Sequence, residues 1–259
     1  SSKTPDLEKQ RAFLASRVSP MADAWSAKSE MIGAGIAHDS AEKHVSGRAL
    51  YIDDMPEPQG LLHLALGLSG KAHAGILKLD LDAVRAAPDV VAVFTAADVP
   101  GRNDVSPIAG DDPLFADGEA LYHGQALFLV AAETREAARA AVRLARVDYE
   151  DRPALLDIAA ARKAGSTIED AKTFKLGDAS AALSQAKHRL KSRIAIGGQD
   201  HFYLEGQVAM AVRGEDGDLT VYSSTQNPSE MQHVVACVLG MAARQVICEV
   251  RRMGGGFGV

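Results

Sequence analysis

Three stretches of this 259-residue chain concentrate residue types that do chemistry. The last of them, RRMGGGFGV at 251–259, sets Gly254, Gly255, Gly256 and Gly258 around Phe257. Glycines let main chain approach a ligand more closely than any Cβ permits, and they reach positive φ without strain. The second, STQNPSE at 224–230, carries Gln226, whose amide offers both donors and an acceptor. It stands beside a helix start, where backbone N–H groups favour anions. The third, GGQDHFYLEGQ at 197–207, gathers Gln199, Asp200, His201 and Glu205 around Phe202 and Tyr203. Metal binding or acid–base work is one reading of that set; buried polar groups fixing a strand start is the other. The glycines likewise also read as a plain turn, and Gln226 as a local capping residue.

The elements around these stretches decide whether they meet. Asn227 suits an N-cap, Pro228 the first helical position, and Glu230 the third, which is capping-box spacing. Met231, Val234, Val235, Val238 and Leu239 fall on one helical stripe, and Gly240 closes the helix. QVICEVRR then reads as a strand, so LTVYSST, helix and QVICEVRR form a strand–helix–strand unit. If both strands share a sheet and run parallel, the crossover is right-handed and both end on one edge. That geometry brings Thr225, Gln226 and Asn227 to the same edge as Gly254–Gly258. Ligands of open α/β sheets bind at such an edge.

Upstream, the first thirty-odd residues read as a polar, partly disordered tail with Trp25 as a docking residue. LLHLALGL, AGILKLD, VVAVF, QALFLVAAE and RVDYED have strand length and composition. LDAVRAAP is a short helix closed by Pro88, and TREAARAAVRLA a longer one with Thr134 as N-cap and Glu136 in its first turn. These give an α+β domain. A linker and the helix ASAALSQAKH follow, and then further strands at RLKSRIAIGG and FYLEGQVAMAV, the second entering a hairpin turned by Gly214 and Gly217. The expected domains are a tail over 1–36, an α+β domain over 37–158, linker and helix over 159–192, and a second α/β domain beginning at 193.

Composition narrows the function. The 47% hydrophobic content supports a core, and no apolar run is long enough to cross a bilayer or to serve as a signal peptide. Net charge is −6 with both signs interspersed, which argues against nucleic acid as a partner. The only two cysteines, Cys237 and Cys248, fit a reducing compartment and read as small apolar side chains. The other histidines have no ligand spacing, and no nucleophile elbow, H-E-x-x-H or Walker loop occurs. From the residues alone the chain has a ligand edge and no catalytic acid or base.

At these residues the chain resembles the molybdenum-binding subunit of the xanthine dehydrogenase family of molybdenum hydroxylases. HDSAEKHVSGRALYIDDMPEPQG is similar to that family's opening, and LYHGQALFLVAAETREAARAAVRLARVDYED to its hammerhead domain. GGQDHFYLEGQ, STQNP and RRMGGGFG are similar to the start of its molybdenum-cofactor domain; GGQDHFYLE favours xanthine dehydrogenases over carbon monoxide dehydrogenases. The resemblance implies that Gln226 lies beside molybdenum and hydrogen-bonds an oxygen ligand. It implies that Gly256, Phe257 and Gly258 pack against the molybdopterin cofactor and offer backbone N–H groups. Val259 stands where the family has glycine. The family sequence continues past this point to a Lys, a substrate-contacting Glu, the general-base Glu and a substrate-binding Arg, so the chain is expected to be an inactive N-terminal fragment. Also implied are hydroxylation of hypoxanthine and xanthine to uric acid, and electron flow through 2Fe-2S clusters and FAD on partner domains or subunits to NAD. The remainder of the molybdenum subunit, an iron–sulfur/FAD subunit and a purine are the implied partners, in the cytoplasm. An aldehyde- or N-heterocycle-oxidising enzyme and a non-catalytic scaffold domain are the rival readings.

Overall fold

The structure is a computed structural model that describes residues 37–107 and 110–257, together with Gly33 and Gly35. It falls into two compact units, Ser1–Ala49 and Leu50–Val259. The first contains α1 (Ala41–Val45). The expectations for residues 1–32, Trp25 included, lie outside the described residues.

Apolar, β-branched runs broken by Gly, Pro and Asp give the second unit its first six strands. These are β1 (His63–Leu68), β2 (Ala74–Asp80), β3 (Val90–Thr95), β4 (Glu119–Ala120), β5 (Ala126–Ala132) and β6 (Arg146–Asp151). They pair antiparallel in two three-stranded sheets, ordered β1-β5-β3 and β4-β2-β6. The central strand β5 reads ALFLVAA because both of its faces are covered: Leu127, Phe128, Val130 and Ala132 are essentially inaccessible. Phe128 fills the room opposite Gly67, where any Cβ would overlap its ring. Helices α2 (Asp82–Arg85) and α3 (Arg135–Val142) interleave with the strands. Thr134 Oγ1 accepts the Ala137 N–H at 3.1 Å, as the sequence predicts, and Ala138 and Ala141 are the buried face of α3. Val84 of α2 joins that core with Leu81, Val93 and Leu127. The α+β expectation holds here.

Residues 154–208 differ from the reading of the sequence. The expected linker holds a helix, α4 (Ile158–Ala164), capped by Asp157 and ended by Gly165 at φ 69°. Helix α5 (Ala179–Gln185) forms as predicted, capped by Asp178. RLKSRIAIGG, expected as a strand, is not one; Leu190, Ile194 and Ile196 stand exposed. A strand needs a neighbour for its N–H and C=O groups, and no described segment pairs with this one. The strand expected over FYLEGQVAMAV shrinks to β7 (Ala209–Arg213) for the same reason.

β7 pairs antiparallel with β8 (Leu219–Ser223) across a turn in which the Gly214 N–H donates to Asp218 O at 2.7 Å and Gly217 has φ 81°. Then come α6 (Pro228–Leu239) and β9 (Val246–Glu249). β9 lies parallel to β8, in register from Leu219↔Val246 to Tyr222↔Glu249. Asn227 Oδ1 accepts the Glu230 N–H at 3.1 Å, and Gly240 ends the helix at φ 64°. Val221, Ala236 and Val246 form a small core, with Val235 packed on it. The predicted stripe of α6 is only half-buried: Met231, Val234, Val238 and Leu239 line an open apolar cavity of about 800 Å³. A loop from the first six-stranded region closes the far end of the helix. The N–H groups of Gly101 and Arg102 donate to the carbonyls of Val238 and Cys237 at 2.9 and 3.0 Å, satisfying C-terminal acceptors of α6.

Candidate functional site

Because β8 and β9 are parallel neighbours, the chain leaves both at one edge of the sheet. After β8 it runs through Thr225, whose Oγ1 accepts the Asn227 N–H at 3.1 Å, to exposed Gln226 and the N-terminus of α6. After β9 it runs through Arg251, Arg252 and Met253 into the glycines.

The three consecutive glycines each face a different neighbour. A Cβ on Gly256 would overlap the side-chain amide of Gln226. One on Gly254 would strike Glu205, and one on Gly255 would come within 2.6 Å of Tyr203 Cβ. Gly255 also has φ 138°, a conformation that L side chains rarely adopt. Sterics thus explain why the run holds three glycines where a plain turn needs one or two.

Phe257 follows at φ 54° and is 70% exposed, its ring parallel to that of His201 (9° between planes, centroids 6.0 Å apart). His201 in turn stacks on Tyr203 at 6.1 Å. Between the loop and the end of β8 lies a cavity of about 360 Å³, bordered by Tyr203, Ser223, Ser224, Thr225, Gly255 and Gly256. The edge therefore presents an amide, hydroxyls, a helix N-terminus, close-set main chain and an aromatic shelf.

Of the predicted site residues, Gln226 and Gly256 are in contact and Phe257 adjoins them. Gly258 lies outside the described residues. The four polar residues of GGQDHFYLEGQ do not form a metal site. Gln199 bonds its neighbour Gly198 O, Asp200 accepts the Phe202 N–H, and His201 is a stacking partner. Glu205 is buried and accepts the Gly254 N–H at 3.0 Å. Its part was missed in the sequence, because its bonding partners are 49 and 153 residues away.

Among the described residues no three His, Cys, Asp or Glu side chains are grouped to hold a metal ion. Cys248 sits half-buried on β9, where burial pushes its thiol up. Cys237 is also free, its Sγ 3.6 Å from His233 Nε2. The donors at this edge suit an organic group rich in hydrogen-bond acceptors, lying flat against bare main chain. Molybdopterin, which brings its own sulfur ligands to the metal, fits such a cradle.

Comparison with known proteins decides the family. Residues 46–153 match the aldehyde oxidase and xanthine dehydrogenase a/b hammerhead domain, and residues 162–259 match the molybdopterin cofactor-binding domain. This chain belongs to the molybdenum hydroxylase family. It is 40% identical over 223 residues to the xanthine dehydrogenase of Dictyostelium discoideum, covering 86% of itself and 16% of that protein. It is 38% identical over 229 residues to aldehyde oxidase 2 of Cavia porcellus, covering 88% of itself and 17% of that protein. The aldehyde oxidoreductase of Desulfovibrio gigas superposes with a TM-score of 0.71 at 27% identity, over 85% of this chain and 26% of that one. The chain thus spans about a sixth of the length of the curated relatives named here. No helix among its described residues is long and apolar enough to cross a membrane.

Proposed function

We propose that this chain is the N-terminal part of the molybdopterin-binding subunit of a cytoplasmic xanthine dehydrogenase. The enzyme hydroxylates hypoxanthine and xanthine to uric acid and passes electrons through 2Fe-2S clusters and FAD on partner domains or subunits to NAD. The observation that carries this reading is the contact between the Gln226 amide and Gly256 at the edge shared by β8 and β9.

When bound, the molybdenum cofactor supplies the oxygen transfer and the two-electron chemistry. The residues of this chain bind and orient it. Gln226 would hold it through its side-chain amide, and the N-terminus of α6 beside it would favour negative charge there. Gly256 and Phe257 would offer it main-chain N–H groups, and the Phe257 ring would shield one side from water. All of these are positioning and electrostatic roles, which are effective in a preorganised site. This reading assigns no residue of the chain to proton abstraction, so it predicts no uric acid formation by residues 1–259 alone.

The experiment compares the full-length enzyme with its Gln226→Ala variant for bound molybdenum and for uric acid formation. A fall of about tenfold or more in either quantity, the factor that loss of one hydrogen bond brings, supports the reading. Unchanged values in both contradict it, as does steady uric acid formation by residues 1–259 alone.

The similarity to aldehyde oxidase 2 favours a second reading in which the same site serves an aldehyde or N-heterocycle oxidase. A substrate panel on the full-length enzyme separates the two. Turnover of aldehydes with no turnover of xanthine selects the second.

A further inference from the structure

Among the described residues, Glu205 is the one charged side chain that is buried, at 8% exposure. An unpaired carboxylate in that setting is costly, and this one is compensated by two main-chain donors from distant parts of the chain. Oε2 accepts the Gly254 N–H at 3.0 Å, and Oε1 accepts the Ile52 N–H at 3.2 Å. The preceding residue adds a third bond, from the Leu204 N–H to Gly254 O at 3.0 Å. Gly254 is therefore held through both its N–H and its C=O, and a Cβ there would overlap Glu205. The Leu50–Ile52 segment is held on the same side, where Arg252 Nη1 donates to Leu50 O at 3.0 Å.

A carboxylate is the side chain this junction requires. It is acceptor-only with two oxygens, and hydrogen bonds to an ionised acceptor are about twice as strong as neutral ones. A glutamine offers one acceptor oxygen and turns an NH₂ toward a backbone N–H. An aspartate is one methylene shorter and loses reach to one of the two donors.

We propose that Glu205 is a positioning residue for the glycine loop. By bridging Ile52 and Gly254 it fixes the start of the loop, and with it the contact between Gly256, two residues on, and Gln226. It links the 3-10 turn Ile52–Asp54, inside the stretch that matches the hammerhead domain, to the glycine loop through one side chain. This role rests on the reading of Gly256 and Gln226 as cofactor contacts.

The test uses the full-length enzyme with Glu205→Gln and Glu205→Asp, and the exposed Asp200→Asn as a control. Backbone hydrogen exchange at Gly254 and Ile52 and molybdenum content are measured together. Glu205→Gln is expected to speed exchange at one or both amides about tenfold and to lower bound molybdenum about tenfold, with β8 and β9 still protected. The control is expected to change neither. Unchanged exchange at both amides overturns the proposal. So does faster exchange with full molybdenum content, and so does a general loss of protection across β8 and β9, which would make Glu205 a folding residue only. Gln226→Ala in parallel keeps the two claims apart. Full molybdenum in that variant sinks the site reading, while exchange at Gly254 in the Glu205 variants still decides the clamp.

Discussion

The side-chain amide of Gln226 occupies the space that a Cβ on residue 256 would need, so these two positions, thirty residues apart, are sterically bound to each other. Gly256 can be nothing larger while Gln226 stays where it is. The pairing follows from the parallel register of β8 and β9, which brings their two exits to one edge.

Gly256→Ala is expected to displace either the Gln226 amide or the loop. The clash is with the end of an exposed side chain, so Gln226 can swing aside at little cost in stability. The larger effect is functional: the full-length enzyme should lose most of its molybdenum, read by elemental analysis, while the far-ultraviolet circular dichroism stays native. Retention of the metal at the parental level would show that the contact has no part in binding.

Asn227 caps α6 one residue beyond Gln226, through its bond to the Glu230 N–H. Asn227→Ala should cost about 1 kcal/mol, and Asn227→Ser should restore most of it, since serine keeps an acceptor for the Glu230 N–H without setting a second carboxylate against that of Glu230, to which the Asn227 amide now donates. Denaturant melts of the two variants measure the difference. Equal stability of the alanine variant and the parent would mean that the cap is idle.

Phe128 is 2% exposed at the centre of the first sheet, with its ring over Gly67. Phe128→Ala should destabilise the domain by about 3–5 kcal/mol, the range for emptying a buried aromatic site. Equilibrium unfolding checks this; a loss below ~1 kcal/mol would contradict the assigned core.

His73 sits between two acceptors, Pro153 O at 2.7 Å from Nδ1 and Glu119 Oε1 at 2.9 Å from Nε2. The Pro153 carbonyl foremost, and then Glu119, hold its pKa above the ordinary 6.5. His73 foremost, and then Arg152, hold Glu119 below its ordinary 4.5. The histidine's stabilisation is complete below 6.5 and is lost as pH rises through its higher folded value. The Glu119 contribution is complete above 4.5 and is lost as pH falls through its lower folded value. The corner joining β2, β4 and β6 should therefore be firmest between these two limits and loosen on the alkaline side. An NMR titration of His73 should give a midpoint above 6.5, and His73→Gln should flatten the alkaline limb of stability against pH. A midpoint at or below the ordinary value would contradict the bonding.

Much of this was legible in the sequence, where the signal is local. Thr134 and Asn227 announce their helices because a cap is a contact across three residues. The β8–α6–β9 unit was readable because a parallel pair joined by a helix has one favoured hand, and that alone predicted the meeting of Gln226 with the glycines. The alternating apolar residues of 189–198 misled, since alternation describes a strand's faces and not whether a partner strand is present. The two-residue β4 is too short to carry a pattern. Glu205 and the Gly101–Arg102 cap of α6 were invisible because they are tertiary bonds between segments far apart in sequence.

The most direct measurement is an experimental structure of the full-length enzyme with its cofactor bound, read at one place. The account predicts the Gln226 amide nitrogen at hydrogen-bond distance, about 3 Å, from an oxygen on the cofactor, with Gly256 and Phe257 on the same side. A cofactor seated elsewhere, with Gln226 and Phe257 both turned away from it, would contradict the account.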